Sequence, residues 1–293
     1  MESLIEKANI LIEALPYIRK FYGKTFVIKY GGAAMVEDRL KNAFAQDVVL
    51  LNFIGIRPLI VHGGGPKISA FMEKMGKKPS FIHGQRVTDK DTMDIVEMVL
   101  GGHVNKEIVS LITSHGGAAI GLTGKDGVLL KARKKVIHHV SAETGVPEII
   151  DLGLVGEVEE VNSHVISSIQ NEKFIPVIAP VGVGPDNSTL NINADFVAGS
   201  IAAALKAEKL ILLTDVNGIK DKQGSLVPSL NKQEIEKFIS ERIISGGMMP
   251  KVSACINALE KGVSKTHIID GKMTHALLLE IFTQKGIGTE IVL

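Results

Sequence analysis

The chain has 293 residues with 33 Lys and Arg against 32 Asp and Glu, so it lacks the basic surplus of a nucleic-acid binder. Hydrophobic residues make up 45% and mean hydropathy is +0.22, yet no apolar run approaches the roughly 18 residues that span a bilayer, and no membrane partner is expected. One cysteine, Cys255, excludes a disulfide framework, and the early acidic residues Glu2 and Glu6 do not read as a secretory signal, so a cytoplasmic location is the expectation.

A helix comes first. Leu4, Ile5, Ala8, Leu11, Ile12 and Leu15 recur at helical spacing behind Ser3 and Glu6, which read as a capping box, and Pro16 is expected to end or kink the helix. Lying ahead of the first strand, it either packs over the domain or presents an apolar face to a partner. Strands follow at 26–29, 58–62, 118–122, 175–179, 209–214 and 266–270, with near-continuous apolar runs that suit burial on both faces. Helical periodicity fills the intervals at 39–53, 67–75, 89–100, 104–114, 163–171, 195–205, 252–261 and 275–283, with Thr88 and Asp91 read as a cap for the third of these. The alternation predicts an α/β fold with a mainly parallel sheet. Between 128 and 161 the pattern shortens into antiparallel hairpins, expected as an insertion at a sheet edge. The Gly- and Pro-rich stretch 181–187 places a lobe boundary near Asp195, dividing the chain into an extension (1–22), a first lobe (23–194) and a second lobe (195–293).

Three glycine clusters adjoin strands or open helices: Gly31-Gly32 after Lys29, Gly63-Gly64-Gly65 after His62, and Gly246-Gly247 before Lys251. Glycine there frees backbone N–H groups for an anion and lets it approach closely, although a tight turn alone also uses glycine. Neither a complete Walker A loop nor GxGxxG, GxSxG or HExxH occurs, and the nine histidines have no ligand spacing, so no protein-built metal site is expected. Lys29 ends a strand at the carboxyl edge where open α/β sheets bind ligands, and Lys251 adds a second cation beside a glycine turn. Such a pair suits phosphoryl transfer, which needs positioning and charge neutralisation. Asp195 could hold both lysines, Asn191 could contact a substrate carboxylate, and Arg86 could clamp one bidentately or simply lie at the surface. Asp215, at the exit of a central strand, could meet a nucleotide or metal, or only shape a turn.

The ordered motifs Val27-Ile28-Lys29-Tyr30-Gly31-Gly32, His62-Gly63-Gly64-Gly65, Gly84-Gln85-Arg86-Val87-Thr88, Asn191-Ile192-Asn193-Ala194-Asp195, Leu213-Thr214-Asp215-Val216 and Gly247-Met248-Met249-Pro250-Lys251 resemble the N-acetylglutamate kinases of the amino-acid kinase family. The resemblance spans essentially the whole chain. It implies an open αβα sandwich of two lobes, and phosphorylation of the γ-carboxylate of N-acetyl-L-glutamate by MgATP, the second step of arginine synthesis. By the same resemblance, Lys29 and Lys251 stabilise the transferring phosphoryl group and Asp195 organises them. Gly64, Gly65, Arg86 and Asn191 hold the substrate, and Gly31, Gly32, Asp215 and Gly247 serve the nucleotide.

The N-terminal helix and the segment 280–289 resemble the arginine-inhibited type, in which the helix links dimers into a homohexamer. Tyr17, Lys209, His267, Glu280 and Gly286 are then candidates to line an arginine site, with His275 an alternative to His267. Some members bind a nitrogen-signalling PII protein, a partner that the resemblance leaves undecided. Rival readings are a kinase of aspartate, glutamate, carbamate or UMP on the same fold, or an inactive arginine sensor or PII scaffold.

Overall fold

Continuous apolar strands cannot leave a face in water, and the fold covers both. In the computed structural model, which describes residues 2–140 and 147–293, the chain opens with α1 (Glu2–Phe21), β1 (Thr25–Tyr30), α2 (Asp38–Phe53), β2 (Arg57–His62) and α3 (Gly65–Lys74). The hairpin β3 (Phe81–Ile82) and β4 (Gln85–Arg86) leads into α4 (Lys90–Glu97), a π-helical turn at Met98–Val104, α5 (Asn105–Ser114) and β5 (Ala119–Thr123). Then come β6 (Leu130–Val140), β7 (Pro147–Val161), α6 (Ser163–Asn171), β8 (Ile175–Ala179), β9 (Val181–Val183) and β10 (Thr189–Ile192). The chain finishes with α7 (Ala194–Ala204), β11 (Lys209–Thr214), β12 (Ser229–Asn231), α8 (Lys232–Ser240), α9 (Met248–Glu260), β13 (Lys265–Asp270), α10 (Ala276–Phe282) and β14 (Thr289–Val292).

Eight strands form one sheet in the order β12-β14-β13-β11-β1-β2-β8-β5, parallel except where β14 meets β13. Alternation along β1 divides the core. Phe26, Ile28 and Tyr30 face one layer, with α2, α5 and α10 packed on it, whereas Val27 faces the layer of α6, α7 and α9. The result is the αβα sandwich. β1 lies between β2 and β11, which come from opposite halves of the chain. That reversal of strand order opens a crevice beyond the carboxyl ends, where open α/β sheets take ligands.

Three expectations are corrected, and a fourth lies outside the described side chains. α1 runs on through Pro16, whose position is exposed, so water can satisfy the carbonyl that loses its partner. Its start includes Ser3, a side chain outside the described ones, so the first capping box has no structural counterpart to report. Thr88 does not cap α4: Asp89 does, accepting from the Thr92 N–H at 2.8 Å. The hairpins are not inserted at the sheet edge. β6 and β7 instead close with β9 and β10 into a separate four-stranded barrel, aided by two register shifts that bend the long ribbon. Along α1, Ile5, Ile10, Leu11, Ile12 and Leu15 remain exposed, while Tyr17 and Phe21 at its far end dock against Phe282 and Phe26. Among the described residues no helix is long and apolar enough to cross a membrane.

Candidate active site

Alternation in β1 aims Lys29 at the layer of α7 and α9, and both helices answer it. α7 is capped by Asn193, whose side chain accepts from the Asp195 and Phe196 N–H groups at 2.9 and 3.4 Å. This puts the Asp195 carboxylate in the first turn, where the helix dipole favours negative charge. The Asp195 Oδ2 accepts from Lys251 Nζ at 2.9 Å, and Lys29 Nζ lies 3.2 Å from Oδ1 without hydrogen-bond alignment. Lys29 and Asp195 are both buried. Burial pushes the Asp195 pKa up, but the two ammonium groups outweigh it and hold the carboxyl below its usual value. Burial also lowers the Lys29 pKa, with Lys251 adding to the effect and Asp195 opposing it. An arriving anion would relieve that penalty and favour the charged lysine.

The first glycine turn follows at once. Gly32 has φ +67, and a side chain there would run into the Asp215 carboxylate, which accepts from the Ala33 N–H. Asp215 thereby ties the exit of β11 to the Gly31–Gly32 turn. Gly247 precedes α9, whose first turn carries Lys251. A cleft of about 940 Å³ gathers Lys29, Gly31, Gly32, Asp215 and Gly63 to Gly65. Lys41 and Lys67 also line this cleft, both paired to Glu107.

A smaller pocket of about 220 Å³ shares Gly63 to Gly65 and adds Arg86 and Asn191. Arg86 is buried, with Nη2 donating to Gly65 O at 3.0 Å and Ser69 Oγ at 2.8 Å, and its guanidinium over the Phe81 ring. Among the described residues none of its partners is a carboxylate. Thr88 emerges as a residue that sequence reading misplaced: its Oγ1 donates to Arg86 O and accepts from Asn191 Nδ2 at 3.3 Å, joining two motifs far apart in the chain.

His62, just before the glycines, is fully buried, and burial pulls its pKa to about 4 from 6.5. The unfolded chain binds a proton below about 6.5 that the native state refuses until about 4. Its share of stability is therefore complete above the unfolded value and lost as pH falls through the folded one, a change of about 3 kcal/mol. Urea unfolding of the parent and of His62→Asn between pH 7 and 4 should show the variant losing less; equal losses would dismiss the assignment.

The candidates for an arginine site meet at the other end of β11. His267 Nδ1 lies 2.7 Å from Glu280 Oε1, and its Nε2 lies 2.7 Å from Lys209 Nζ, so the neutral ring donates to the carboxylate and accepts from the ammonium. Gly286, at φ +61, lets the chain close over Glu280, whose Oε2 accepts from the Ile287 N–H at 2.7 Å. Burial lowers the Lys209 pKa to about 8, against the pull of Glu280. Tyr17 joins the adjacent core edge-on to Phe282. His275 lies elsewhere, with its Nδ1 at 2.6 Å from the buried Asp47.

Comparison with known proteins places these features in a group. Residues 24–270 match the model of the amino acid kinase family. The chain is 59% identical to the acetylglutamate kinase of Syntrophus aciditrophicus, over 100% of this chain and 99% of that one. Among solved structures, it resembles the N-acetylglutamate synthase of Neisseria gonorrhoeae complexed with coenzyme A and N-acetyl-glutamate, at a TM-score of 0.83 and 26% identity. That likeness covers 98% of this chain but 63% of the synthase. The same enzyme complexed with coenzyme A and L-arginine gives a TM-score of 0.79 at 25% identity, over 97% of this chain and 65% of that one. A match from just before β1 to the end of β13, which takes in Lys29 on β1, Asp195 on α7, Lys251 on α9 and the glycine turns beside them, leaves one conclusion: the chain belongs to the amino acid kinase family.

Proposed function

We propose that the shared cleft holds MgATP and N-acetyl-L-glutamate with Lys29 and Lys251 between them, the substrate on lobe 23–194 and the nucleotide on lobe 195–293. The activity is ATP-dependent phosphorylation of N-acetylglutamate, giving N-acetyl-L-glutamyl 5-phosphate and ADP in arginine biosynthesis. The observation that carries the assignment of roles is the buried Arg86, which has no carboxylate partner among the described residues and faces a pocket floored by Gly64 and Gly65. A buried guanidinium with only neutral partners favours an anion, and the substrate α-carboxylate supplies one. Asn191 lies beside it on β10.

The γ-carboxylate is already ionised at neutral pH, so its oxygen attacks the γ-phosphorus without a general base while the bond to the ADP oxygen breaks. Lys29 and Lys251 neutralise the charge on the transferring group, and Asp195 fixes where they stand. The N–H groups of Gly64 and Gly65 point donors at the reacting oxygens, and Gly31, Gly32, Asp215 and Gly247 frame the phosphates. Among the described residues no group of three or more His, Cys, Asp or Glu could cage a metal. Asp215 in the cleft is the carboxylate that fits Mg²⁺ arriving with the triphosphate, since Mg²⁺ commonly takes one or two carboxylates plus phosphate oxygens and water, whereas both oxygens of Asp195 face lysines. When bound, it supplies further neutralisation of the phosphates.

Among the described residues the pocket lining contains no Asp or Glu. A free α-ammonium would find no counter-charge there and would sit beside Arg86, whereas the acetylamide is neutral. We expect kcat/KM for L-glutamate to fall about a thousandfold below that for N-acetyl-L-glutamate. ADP release with each acid measures this, and equal turnover would remove the substrate assignment.

Arginine inhibition is the second part of the proposal. It is supported by the Lys209, His267 and Glu280 cluster, and by the likeness to a gonococcal synthase complexed with L-arginine. The exposed apolar stripe of α1 supports reading that helix as the contact between dimers in a hexamer.

A further inference from the structure

The mechanism above leaves a buried polar pair unused. His62 ends β2, immediately before the glycine turn, and Asn105 opens α5 after the π-helical turn; both are 0% exposed. His62 Nδ1 lies 2.8 Å from Gly63 O, and Nε2 lies 3.2 Å from Asn105 Nδ2. The orientation of the Asn105 amide is set by its other partners. Its Nδ2 faces Val177 O at 2.9 Å and Leu122 O at 3.3 Å, and its Oδ1 accepts from Lys106 Nζ at 3.2 Å. A carbonyl offers only lone pairs and an amide nitrogen only hydrogens. One neutral tautomer satisfies both contacts: Nδ1 carries the proton and donates to Gly63 O, while Nε2 accepts from Asn105, whose two hydrogens serve Val177 O and, shared between them, Nε2 and Leu122 O.

This has a consequence for the next peptide. The Gly63–Gly64 bond is trans, so its C=O and N–H point in opposite directions. With the Gly63 carbonyl held toward the buried imidazole, the Gly64 N–H is directed the other way, and Gly63 to Gly65 line both cavities of the cleft. The neighbouring groups are already committed: the Gly63 N–H donates to Tyr30 O at 2.8 Å and Gly64 O accepts from the Ile68 N–H at 2.9 Å. Among the described residues the Gly64 N–H has no acceptor. Gly121 completes the support, because a side chain there would overlap the Asn105 amide oxygen.

We propose that His62 and Asn105 are positioning residues, which lock the Gly63–Gly64 peptide so that the Gly64 N–H stands ready in the cleft as a donor to the reacting carboxylate or phosphoryl oxygen. The proposal rests on the reading of Gly64 as a substrate-facing donor. A donor fixed in advance need not reorganise during transfer, which is where such groups act on rate. Asn105 in turn draws its orientation from β5 and β8, so the edge of the sheet takes part in aiming the loop.

The unaltered protein gives the first test. With ¹⁵N-labelled histidine, its spectrum should show His62 protonated at Nδ1 alone; protonation at Nε2 would overturn the proposal. With ¹⁵N-labelled glycine, the Gly64 amide should shift when N-acetylglutamate and a non-hydrolysable MgATP analogue are added. A silent Gly64 amide would overturn the reading of the site, and this proposal with it.

Variants then separate aim from packing. In His62→Leu the donor is gone, and kcat should fall about tenfold or more while KM for ATP stays within about twofold. In His62→Asn the side-chain amide can donate from near the position of Nδ1, and it should restore most of the rate despite being smaller. Equal losses in the two would mean that only packing matters, and would overturn the proposal even with a responsive Gly64. Asn105→Leu keeps the branched shape but removes the donor to Nε2, and should give an intermediate kcat; the parent rate would remove Asn105 from it. Thermal melts and far-UV spectra check that each variant is folded, and the two measurements on the parent decide the matter if one is not.

Discussion

Lys29→Met and Lys251→Met are each expected to lower kcat about 10²–10³-fold, with KM for N-acetylglutamate changed little. Both side chains reach the same carboxylate from different elements, Lys29 from β1 and Lys251 from α9, at 3.2 and 2.9 Å. Methionine keeps much of the apolar stem and removes the ammonium, so the variants test charge rather than packing. Neutralisation of a transferring phosphoryl group grows in the transition state, and its loss should therefore appear in kcat. The double variant should lose less than the product of the single losses, since either ammonium alone leaves the charge poorly balanced. ADP release at saturating substrates measures all three. A kcat within about tenfold of the parent for both single variants would sink the two-lysine clamp. Asp195→Asn differs in kind: it leaves two ammonium groups near one another without their anion. It should cost stability, by about 3–5 kcal/mol if nothing rearranges, as well as rate.

The legibility of this site in the sequence depended on how local its causes are. Lys29 was readable because strand alternation and position fix where a side chain goes, and β1 obeys both. The strands 175–179 and 209–214 have the bounds that the sequence predicts, the first stopped by Pro180 and the second by the polar Asp215. Asn193 as a helix cap is likewise a short-range matter. Thr88 was misread because a threonine ahead of an acidic residue looks like a cap. Its partner Arg86 O is local, but Asn191 becomes a neighbour only when the chain at Thr88 pairs with β7, the strand that also pairs with β10. The barrel is not legible in the same way, because hairpin periodicity carries no information about which strands will close the ring. The π-helical turn at Met98–Val104 contains two glycines, which the helical period passed over. In contrast, α8 was missed although Asn231 and Glu234 make a full capping box; that signal was present and went unread. The support from His62 and Asn105 needs β2, β5, β8 and α5 together, and no spacing encodes it.

Glu280→Gln should raise the arginine concentration for half-inhibition about tenfold or more while leaving catalysis near the parent rate. The lost interaction is charge-assisted, worth about 1.5–3 kcal/mol between carboxylate and guanidinium. Glu280 lies far from the chemistry. β11 measures the interval, from Lys209 at its first residue to Asp215 just past its last, roughly 20 Å at about 3.3 Å per residue. Two rigid connections cross it. β11 carries Lys209 at one end and the Asp215 contact with the glycine turn at the other. α10 carries Glu280 and is fastened at its start to α2 by the His275–Asp47 contact. Movement at the cluster can therefore reach the Gly31–Gly32 turn along β11 without any loop between. Arginine inhibits only if it binds the less active arrangement more tightly, since equal affinity shifts nothing. Removing residues 1–14 tests the role of α1 while keeping Tyr17 and the buried Phe21, whose loss would disturb the core for unrelated reasons. This truncation should retain turnover, reduce assembly and blunt the arginine response. Inhibition of Glu280→Gln at the parent's arginine concentration would reject the cluster as the binding site, whereas a fully responsive truncation would confine α1 to assembly.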